Sequence, residues 1–159
     1  MGGRIQIRSA TIGDCGAIAD LLREAFAEFK SFYTELGFAA TTPGAEQIQA
    51  RMREGPVWVA VHDAVVTGTV AAVKKGESVY VRGMAVLPSA RAAGTGTRLL
   101  EQVESWAADE RIVRIFLSTT PFLDSAIRLY EKSGFRRTAE GPHDLFGTPL
   151  FTMEKMLGK

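Results

Sequence analysis

Alternating apolar and polar positions predict a series of β-strands along the chain. Ile5 and Ile7 alternate with polar neighbours near the amino terminus and predict the first strand. Three further stretches, 57–61, 65–73 and 78–86, are rich in valine and are separated by short polar turns. Strands joined by such turns pair antiparallel, so these three stretches predict a three-stranded meander.

Apolar residues at helical spacing predict four helices between and after these strands. The first helix begins after Thr11 and Asp14, which have the spacing of a capping box. The second takes Thr42 as its N-cap, the third begins near Gly96, and the fourth covers 124–133.

The apolar stretch 112–117 predicts a buried strand directly after the third helix. A strand reached through a helical crossover pairs in parallel, so we expect it beside the strand 78–86. Two later stretches, 135–138 and 150–153, predict the remaining strands. The sequence therefore predicts a single α/β (α+β) domain over residues 1–159. Its sheet is mixed and mostly antiparallel, with about six to seven strands flanked by about four helices.

Composition and charge exclude several classes of protein. The 159 residues carry 19 basic and 18 acidic side chains without a basic tract, which argues against a nucleic-acid partner. Cys15 is the single cysteine, so no internal disulfide is expected, and with two histidines besides it no metal site is expected. Because no apolar run suits a signal peptide or a membrane span, we expect a cytoplasmic protein with no membrane partner.

A loop of small residues follows the strand 78–86 and leads into the third helix. A helix N-terminus offers unpaired N–H groups, and small residues let the backbone approach a ligand closely, so we expect the loop to bind phosphate. No Lys-Ser or Lys-Thr pair follows Gly96, which excludes a P-loop, and Leu99 stands where a dinucleotide fingerprint needs its third glycine. The loop reads Arg91-Ala92-Ala93-Gly94-Thr95-Gly96-Thr97.

Two motifs occur in order along the chain. The segment 91–96 reads Arg-x-x-Gly-x-Gly, and the segment 126–135 reads Ala-x-x-x-Tyr followed by Gly-Phe. Ala126 and Tyr130 lie one turn apart on one helical face. Together with the predicted elements, these motifs resemble the GNAT superfamily of acetyl-CoA-dependent N-acetyltransferases, over nearly the whole chain.

The resemblance implies a binding site for acetyl-CoA. Backbone groups of Met84, Ala85 and Val86 would bind the pantetheine arm as an added strand does. The N–H groups of 91–97 would receive the pyrophosphate, with charge added by the side chains of Arg91 and Arg98. Ala126 would lie against the cofactor.

The resemblance also implies a catalytic role for Tyr130, which would protonate the sulfur as it leaves. A phenol has a reference pKa of about 10 and a thiol of about 8.5, so a tyrosine is present as the acid at neutral pH. A backbone N–H near Met84 or Val86 would stabilise the negative charge that develops on the acetyl oxygen. Tyr130 in a purely structural role, bonded to a carbonyl, is the alternative.

Two positions depart from the family pattern. Leu123 stands where many members have an asparagine that bonds the pantetheine arm. Tyr80 stands where many have a glutamate that deprotonates the amine. A water relay, Tyr80, or an acid from elsewhere, such as Asp144 or Glu77, could take that proton, and the sequence does not choose among them.

The acceptor site is expected between the early helices, the central strands and the C-terminal loop. Arg82 either pairs with a carboxylate of the acceptor or belongs to an internal ion pair. The candidate acceptor-binding residues are Tyr33, Tyr80, Arg82, Thr119 and His143.

The function implied is transfer of the acetyl group of acetyl-CoA to a primary amine of a small molecule or peptide, by direct attack in a ternary complex. The alternatives are a non-catalytic acyl-CoA sensor and an acyltransferase with another acyl donor or acceptor. Family members are often homodimers, but nothing in the sequence decides between a monomer and a dimer.

Overall fold

A mixed sheet organises residues 4–158, which are the residues described by the structure, a computed structural model. The strands are β1 Gln6–Ser9, β2 Val57–His62, β3 Val65–Lys75, β4 Ser78–Val86, β5 Arg114–Thr119, β6 Arg136–Arg137, β7 His143–Leu145 and β8 Thr148–Met156. Their order is β1-β2-β3-β4-β5-β8-β6, and β7 pairs with β8.

Five α-helices lie within the described residues: α1 Cys15–Phe26, α2 Glu35–Thr41, α3 Ala45–Met52, α4 Thr95–Asp109 and α5 Asp124–Lys132. Three 3-10 segments accompany them, Ile12–Asp14, Ala27–Phe32 and Pro88–Ala93. Within residues 4–158, every helix is too short or too polar to cross a membrane.

The topology confirms the predicted fold class. β2, β3 and β4 form the expected antiparallel meander, and β5 pairs with β4 in parallel after the α4 crossover. One strand more than expected is present, because β7 lies in a segment whose Gly-Pro-His-Asp sequence suggested only a loop. Gly147, in the turn between β7 and β8, has φ +95°, which allows the tight hairpin.

The helices cover both faces of the sheet. α4 and α5 pack on one face, where Leu99, Val103 and Tyr130 join the alternate strand residues Val79 and Val81. α1 and α3 pack on the other face around Ile18, Leu22, Ile48, Val59 and Ala85. Because successive strand residues point to opposite faces, each central strand is apolar on both sides.

Two predictions about helix starts had different outcomes. The capping box is confirmed, since Thr11 N donates to Asp14 Oδ2 at 2.7 Å, although the helix opens with a 3-10 turn. The prediction that Thr42 is the N-cap of the next helix is wrong. Its hydroxyl donates to the Phe38 carbonyl at 2.8 Å, so it ends α2, a helix the sequence pattern did not predict, and Gly44 caps α3.

Candidate active site

β4 and β5 separate partway along their length and open a cleft of about 1020 Å³. Their pairing ends at Tyr80 and Phe116. The rest of β4 remains paired with β3 on its other side, through Ala85 and Val86. The backbone N–H and C=O groups on the cleft side of this half of β4 therefore have no neighbouring strand, and an extended ligand can bind there as an added strand does.

A bulge changes which face each β4 residue presents at the cleft. Two steps along β3, from Thr69 to Ala71, match three along β4, from Ala85 back to Arg82. Gly83 supplies the extra residue at φ +61°, a conformation that glycine adopts without strain. Arg82 thus lies on the face covered by α1 and α3, while Met84 packs against the opposite core.

The predicted phosphate loop lies at the far end of this open edge. Pro88–Ala93 forms a 3-10 turn, Gly94 has φ +80°, and α4 begins at Thr95. Gly96 is constrained by packing instead, because a Cβ there would lie 2.6 Å from Leu129 Cδ2 on α5. The two glycines of the motif therefore serve different purposes: one turns the chain, and the other lets α5 approach the start of α4.

The arginines near the loop already have partners. Arg91 Nη1 donates to Glu28 Oε1 at 2.8 Å, and its Nη2 donates to the Ala25 carbonyl at 3.2 Å. Arg98 donates to the carbonyl of Ile5 and does not line the cleft. Because Arg91 and Arg98 are already paired, the N–H groups and dipole of α4 contribute an important part of the attraction for an anion here.

Tyr130 lines the cleft from α5 and is only 7% exposed. Its own carbonyl accepts from Phe135 N at 2.9 Å, a contact that ends the helix and fixes the position of the tyrosine. Burial raises the pKa of the Tyr130 phenol, and the nearby Tyr33 and Tyr80 add to the effect. Within residues 4–158 its hydroxyl makes no hydrogen bond, so it is held protonated and available to donate.

Most of the residues predicted from the family pattern meet in this cleft. Its lining includes Met84, Ala85, Val86, Arg91, Ala92, Gly94, Gly96, Thr97, Ala126 and Tyr130 of the predicted donor site, and Tyr33, Tyr80, Arg82 and Thr119 of the predicted acceptor site. Leu123 also lines it and offers only an apolar side chain.

Three predicted residues lie outside the lining. Ala93 and Thr95 belong to the loop, but neither lines the cleft, and Thr95 is fully buried. His143 lies on β7, where its Nε2 is 3.0 Å from Thr152 Oγ1, and it does not reach the cleft. It pairs with Leu150 of β8, and its predicted role in acceptor binding stays a prediction.

Aromatic and hydroxyl groups form the part of the cleft where the acceptor is expected. Tyr33 is buried edge-on against Phe122, with 4.8 Å between ring centroids. Burial raises the pKa of Tyr33, and the hydroxyls of Thr120 and Thr41 partly offset that effect. Thr119 Oγ1 is buried and has no hydrogen-bond partner within residues 4–158. This end therefore combines apolar walls with polar groups that a ligand can satisfy.

Arg51 is a cleft residue that the sequence pattern did not identify. It lies in the last turn of α3, far along the chain from Arg82, and no local motif marks it. Arg82 pairs with Glu54, so the internal ion pair considered from the sequence is present. No carboxylate of residues 4–158 lines the cleft, and Asp144 instead accepts from Gly147 N at 2.9 Å in a turn.

Comparisons with known proteins agree with this geometry. The model of the acetyltransferase (GNAT) family matches residues 18–135. An uncharacterized N-acetyltransferase, YjgM of Escherichia coli, is 30% identical over 135 residues, which cover 81% of this chain and 80% of that protein. The PaiA N-acetyltransferase of Thermoplasma acidophilum, solved in complex with coenzyme A, has a TM-score of 0.82 at 18% identity and covers 98% of this chain and 100% of its own.

A GNAT-family acetyltransferase of Staphylococcus aureus Mu50 superimposes with a TM-score of 0.80, at 18% identity, and covers 98% of this chain and 100% of its own. The fold and the cleft define an acyltransferase that uses a CoA thioester. The chain belongs to the acetyltransferase (GNAT) family. It is accordingly an N-acetyltransferase whose acyl donor is acetyl-CoA.

The described residues fit this donor. The open edge of β4 suits the extended pantetheine arm, and the α4 N-terminus with its small-residue loop suits the pyrophosphate. Gly94 leaves open space, since a Cβ there would meet no atom within 4 Å. Within residues 4–158 no group of three or more His, Cys, Asp or Glu side chains is arranged to hold a metal ion.

Proposed function

We propose that this protein transfers the acetyl group of acetyl-CoA to a primary amine of a small molecule or peptide, by direct attack of the amine in a ternary complex. The observation that carries the proposal is the continuity of the cleft. The phosphate loop, the open β4 edge, Tyr130 and the aromatic end around Tyr33 all line one cavity. Both substrates can therefore be bound at once, and no nucleophilic side chain is needed as a carrier of the acetyl group.

The chain contributes binding, orientation and one proton. The open edge of β4 aligns the thioester, and a backbone N–H near Met84 or Val86 stabilises the charge that develops on the acetyl oxygen. The amine nitrogen forms its bond to the carbonyl carbon as the carbon–sulfur bond breaks. Tyr130 donates its proton to the sulfur and then recovers one from solvent, so the products are the amide and free CoA.

The acceptor amine must lose a proton before or during attack, because a lysine-like amine has a reference pKa of about 10.4. Neither Asp144 nor Glu77 lines the cleft. Tyr80 does, and it lies over Phe116 with 5.3 Å between ring centroids. We therefore assign the removal of this proton to water in the cleft, with the Tyr80 hydroxyl as the relay.

Release of free CoA thiol, followed across a panel of amines, tests the proposal. Binding of acetyl-CoA is measured by calorimetry on the same sample. We expect binding in the absence of an amine and thiol release only in its presence. Binding without thiol release on any amine would favour an acyl-CoA sensor or another type of acceptor, and no binding would contradict the assignment of the loop at 91–97.

A further inference from the structure

Two guanidinium groups meet at the acceptor end of the cleft. Arg51 lies in the last turn of α3, and its Nη1 lies against the β4 bulge, 3.1 Å from where a Cβ of Gly83 would be. Arg82 precedes that bulge on β4, and both arginines line the cleft. Arg82 is four residues before Val86, which places it about 13 Å along the strand from the end of β4, at about 3.3 Å per residue, and the phosphate loop lies beyond that end.

The charges of this cluster are not balanced within the described residues. Arg82 pairs with Glu54, whose side chain is 55% exposed. The side chain of Arg51 makes no hydrogen bond or ion pair with any of residues 4–158, although it is half-buried. Burial lowers the pKa of Arg51 and repulsion from Arg82 lowers it further, while Tyr80 and Glu54 offset only part of this shift. A half-buried cation without a partner is unfavourable, and an anion bound beside it would relieve that cost.

Tyr80 connects this cluster to the reacting centre. It shares one face of β4 with Arg82, since the two residues are two positions apart and precede the bulge. It is also close enough to influence the ionisation of both Arg51 and Tyr130. An acceptor bound beside Tyr80 would thus lie between the two guanidinium groups and Tyr130.

We propose that Arg51 and Arg82 bind a carboxylate of the acceptor, so that the acceptor is a small amine bearing a carboxylate, such as an amino acid. Guanidinium groups match the geometry of a carboxylate through paired N–H donors. The pyrophosphate of acetyl-CoA is assigned to the other end of β4, so it does not occupy this position. The inference rests on the proposed acetyl transfer to an amine and specifies its substrate class.

Matched pairs of acceptors test the inference. Each pair compares an amino acid with the amine that lacks only its carboxylate, for example phenylalanine with phenethylamine, and kcat/KM is measured by release of CoA thiol. Calorimetry measures binding of the same amines to the enzyme–CoA complex. We expect the carboxylate-bearing member of a pair to be favoured about tenfold or more, because a charge-assisted hydrogen bond contributes that much.

Variants assign this preference to the two arginines. Arg51→Gln and Arg82→Gln should each lower kcat/KM for the amino acid about ten- to a hundredfold, and change that for the decarboxylated amine much less. Acetyl-CoA affinity should not change. Arg53→Gln removes the same charge just beyond α3, on an exposed side chain outside the cleft lining, and is the matched control.

Thermal unfolding of Arg51→Gln separates ligand binding from a structural role. Because Arg51 has no partner within the described residues, its replacement should leave the melting temperature unchanged or raise it, whereas loss of a structural contact would lower it. Equal use of both members of each pair would overturn the inference and leave the proposed function intact. Arginine-dependent binding of amino acids without acetylation would support the anion site and contradict the proposed function. If amino acids were neither bound nor acetylated, the inference would be overturned.

Discussion

Arg91 Nη1 lies 2.8 Å from Glu28 Oε1, and this ion pair joins the phosphate loop to the 3-10 segment that follows α1. Arg91 also donates to the carbonyl of Ala25, so the loop is fastened to the early helices at two points. The arginine of the motif is therefore partly neutralised before any phosphate binds. Its contribution to affinity should depend on Glu28.

Replacement of Glu28 by glutamine should tighten acetyl-CoA binding about two- to fivefold. The change removes a negative charge next to the expected pyrophosphate position and frees Arg91, and a half-exposed ion pair of this kind is worth up to about 1 kcal/mol. Calorimetry at low and high salt measures the effect, which should shrink at high salt. Glu24→Gln, an exposed change on α1, is the matched control. Weaker binding by Glu28→Gln would mean that Glu28 holds Arg91 in the orientation that phosphate needs.

The donor half of the site could be predicted from the sequence because its signals are local. Gly94 and Gly96 lie two positions apart at the start of one helix, and Tyr130 lies one turn from Ala126 on another. The acceptor half could not be predicted in the same way. Arg51 and Arg82 come together only through packing of α3 on the sheet, and the Arg91–Glu28 pair joins residues 63 positions apart. No periodicity or spacing encodes such contacts.

Tyr130→Phe should lower kcat about a hundredfold or more and leave acetyl-CoA affinity nearly unchanged. Positioned proton donors contribute at least this much, and the phenyl ring keeps the packing of Tyr130 against Phe135. Thiol release and calorimetry on the same variant separate the two effects. Tyr80→Phe, which removes the hydroxyl assigned to the proton relay, is the comparison. Unchanged turnover by Tyr130→Phe would contradict the assignment of Tyr130 as the acid.

The pH dependence of kcat/KM checks the same assignment independently. Burial raises the pKa of Tyr130 above the ordinary value of about 10, so this acid stays protonated throughout the working range. The rate should therefore rise with pH as the acceptor amine loses its proton, with no loss of activity below about pH 10 from ionisation of Tyr130. A decline between pH 7 and 9 that disappears in Tyr130→Phe would contradict the raised pKa.

Gly94→Glu and Gly94→Gln form a matched pair for the phosphate loop. Both place a side chain of similar size at φ +80°, which costs about 1–2 kcal/mol, and both point it into open space. Only the glutamate adds negative charge. We expect acetyl-CoA binding to weaken for both, and about tenfold more for Gly94→Glu because its carboxylate repels the pyrophosphate. Equal affinities would show that the anion binds elsewhere.

The fold was predicted in its class and topology, and the errors came from segments without a clear period. The stretch 27–42 carries aromatics at irregular spacing, so α2 was missed. Its N-cap, Thr34, receives support from β8, where Thr148 Oγ1 accepts from Thr34 N at 2.9 Å. A hydrogen bond from a residue so far along the chain leaves no signal in the sequence near the helix. A helix of seven residues depends on it more than a long amphipathic helix does.

Acid titration should expose the contribution of Asp14 to stability. Asp14 Oδ2 accepts hydrogen bonds from Arg8 Nη1 at 2.8 Å and from Thr11 N at 2.7 Å. The contact with Arg8 is the main reason that the pKa of Asp14 lies well below its usual range. A carboxyl whose pKa is depressed by folding stabilises the protein fully above its unfolded pKa of about 3.9, and loses that contribution as the pH falls towards the folded pKa.

Asp14→Asn should therefore lower the free energy of unfolding by about 1–2 kcal/mol at pH 7, the range expected for a capping carboxylate, and by less below about pH 4. Urea unfolding at pH 7, 4 and 3 measures the difference. Asp20→Asn is the control, because the Asp20–Arg23 pair is exposed and should contribute less than about 0.5 kcal/mol. A deficit for Asp14→Asn that stays constant from pH 7 to 3 would mean that the side chain acts through packing or through hydrogen bonds that do not require its charge.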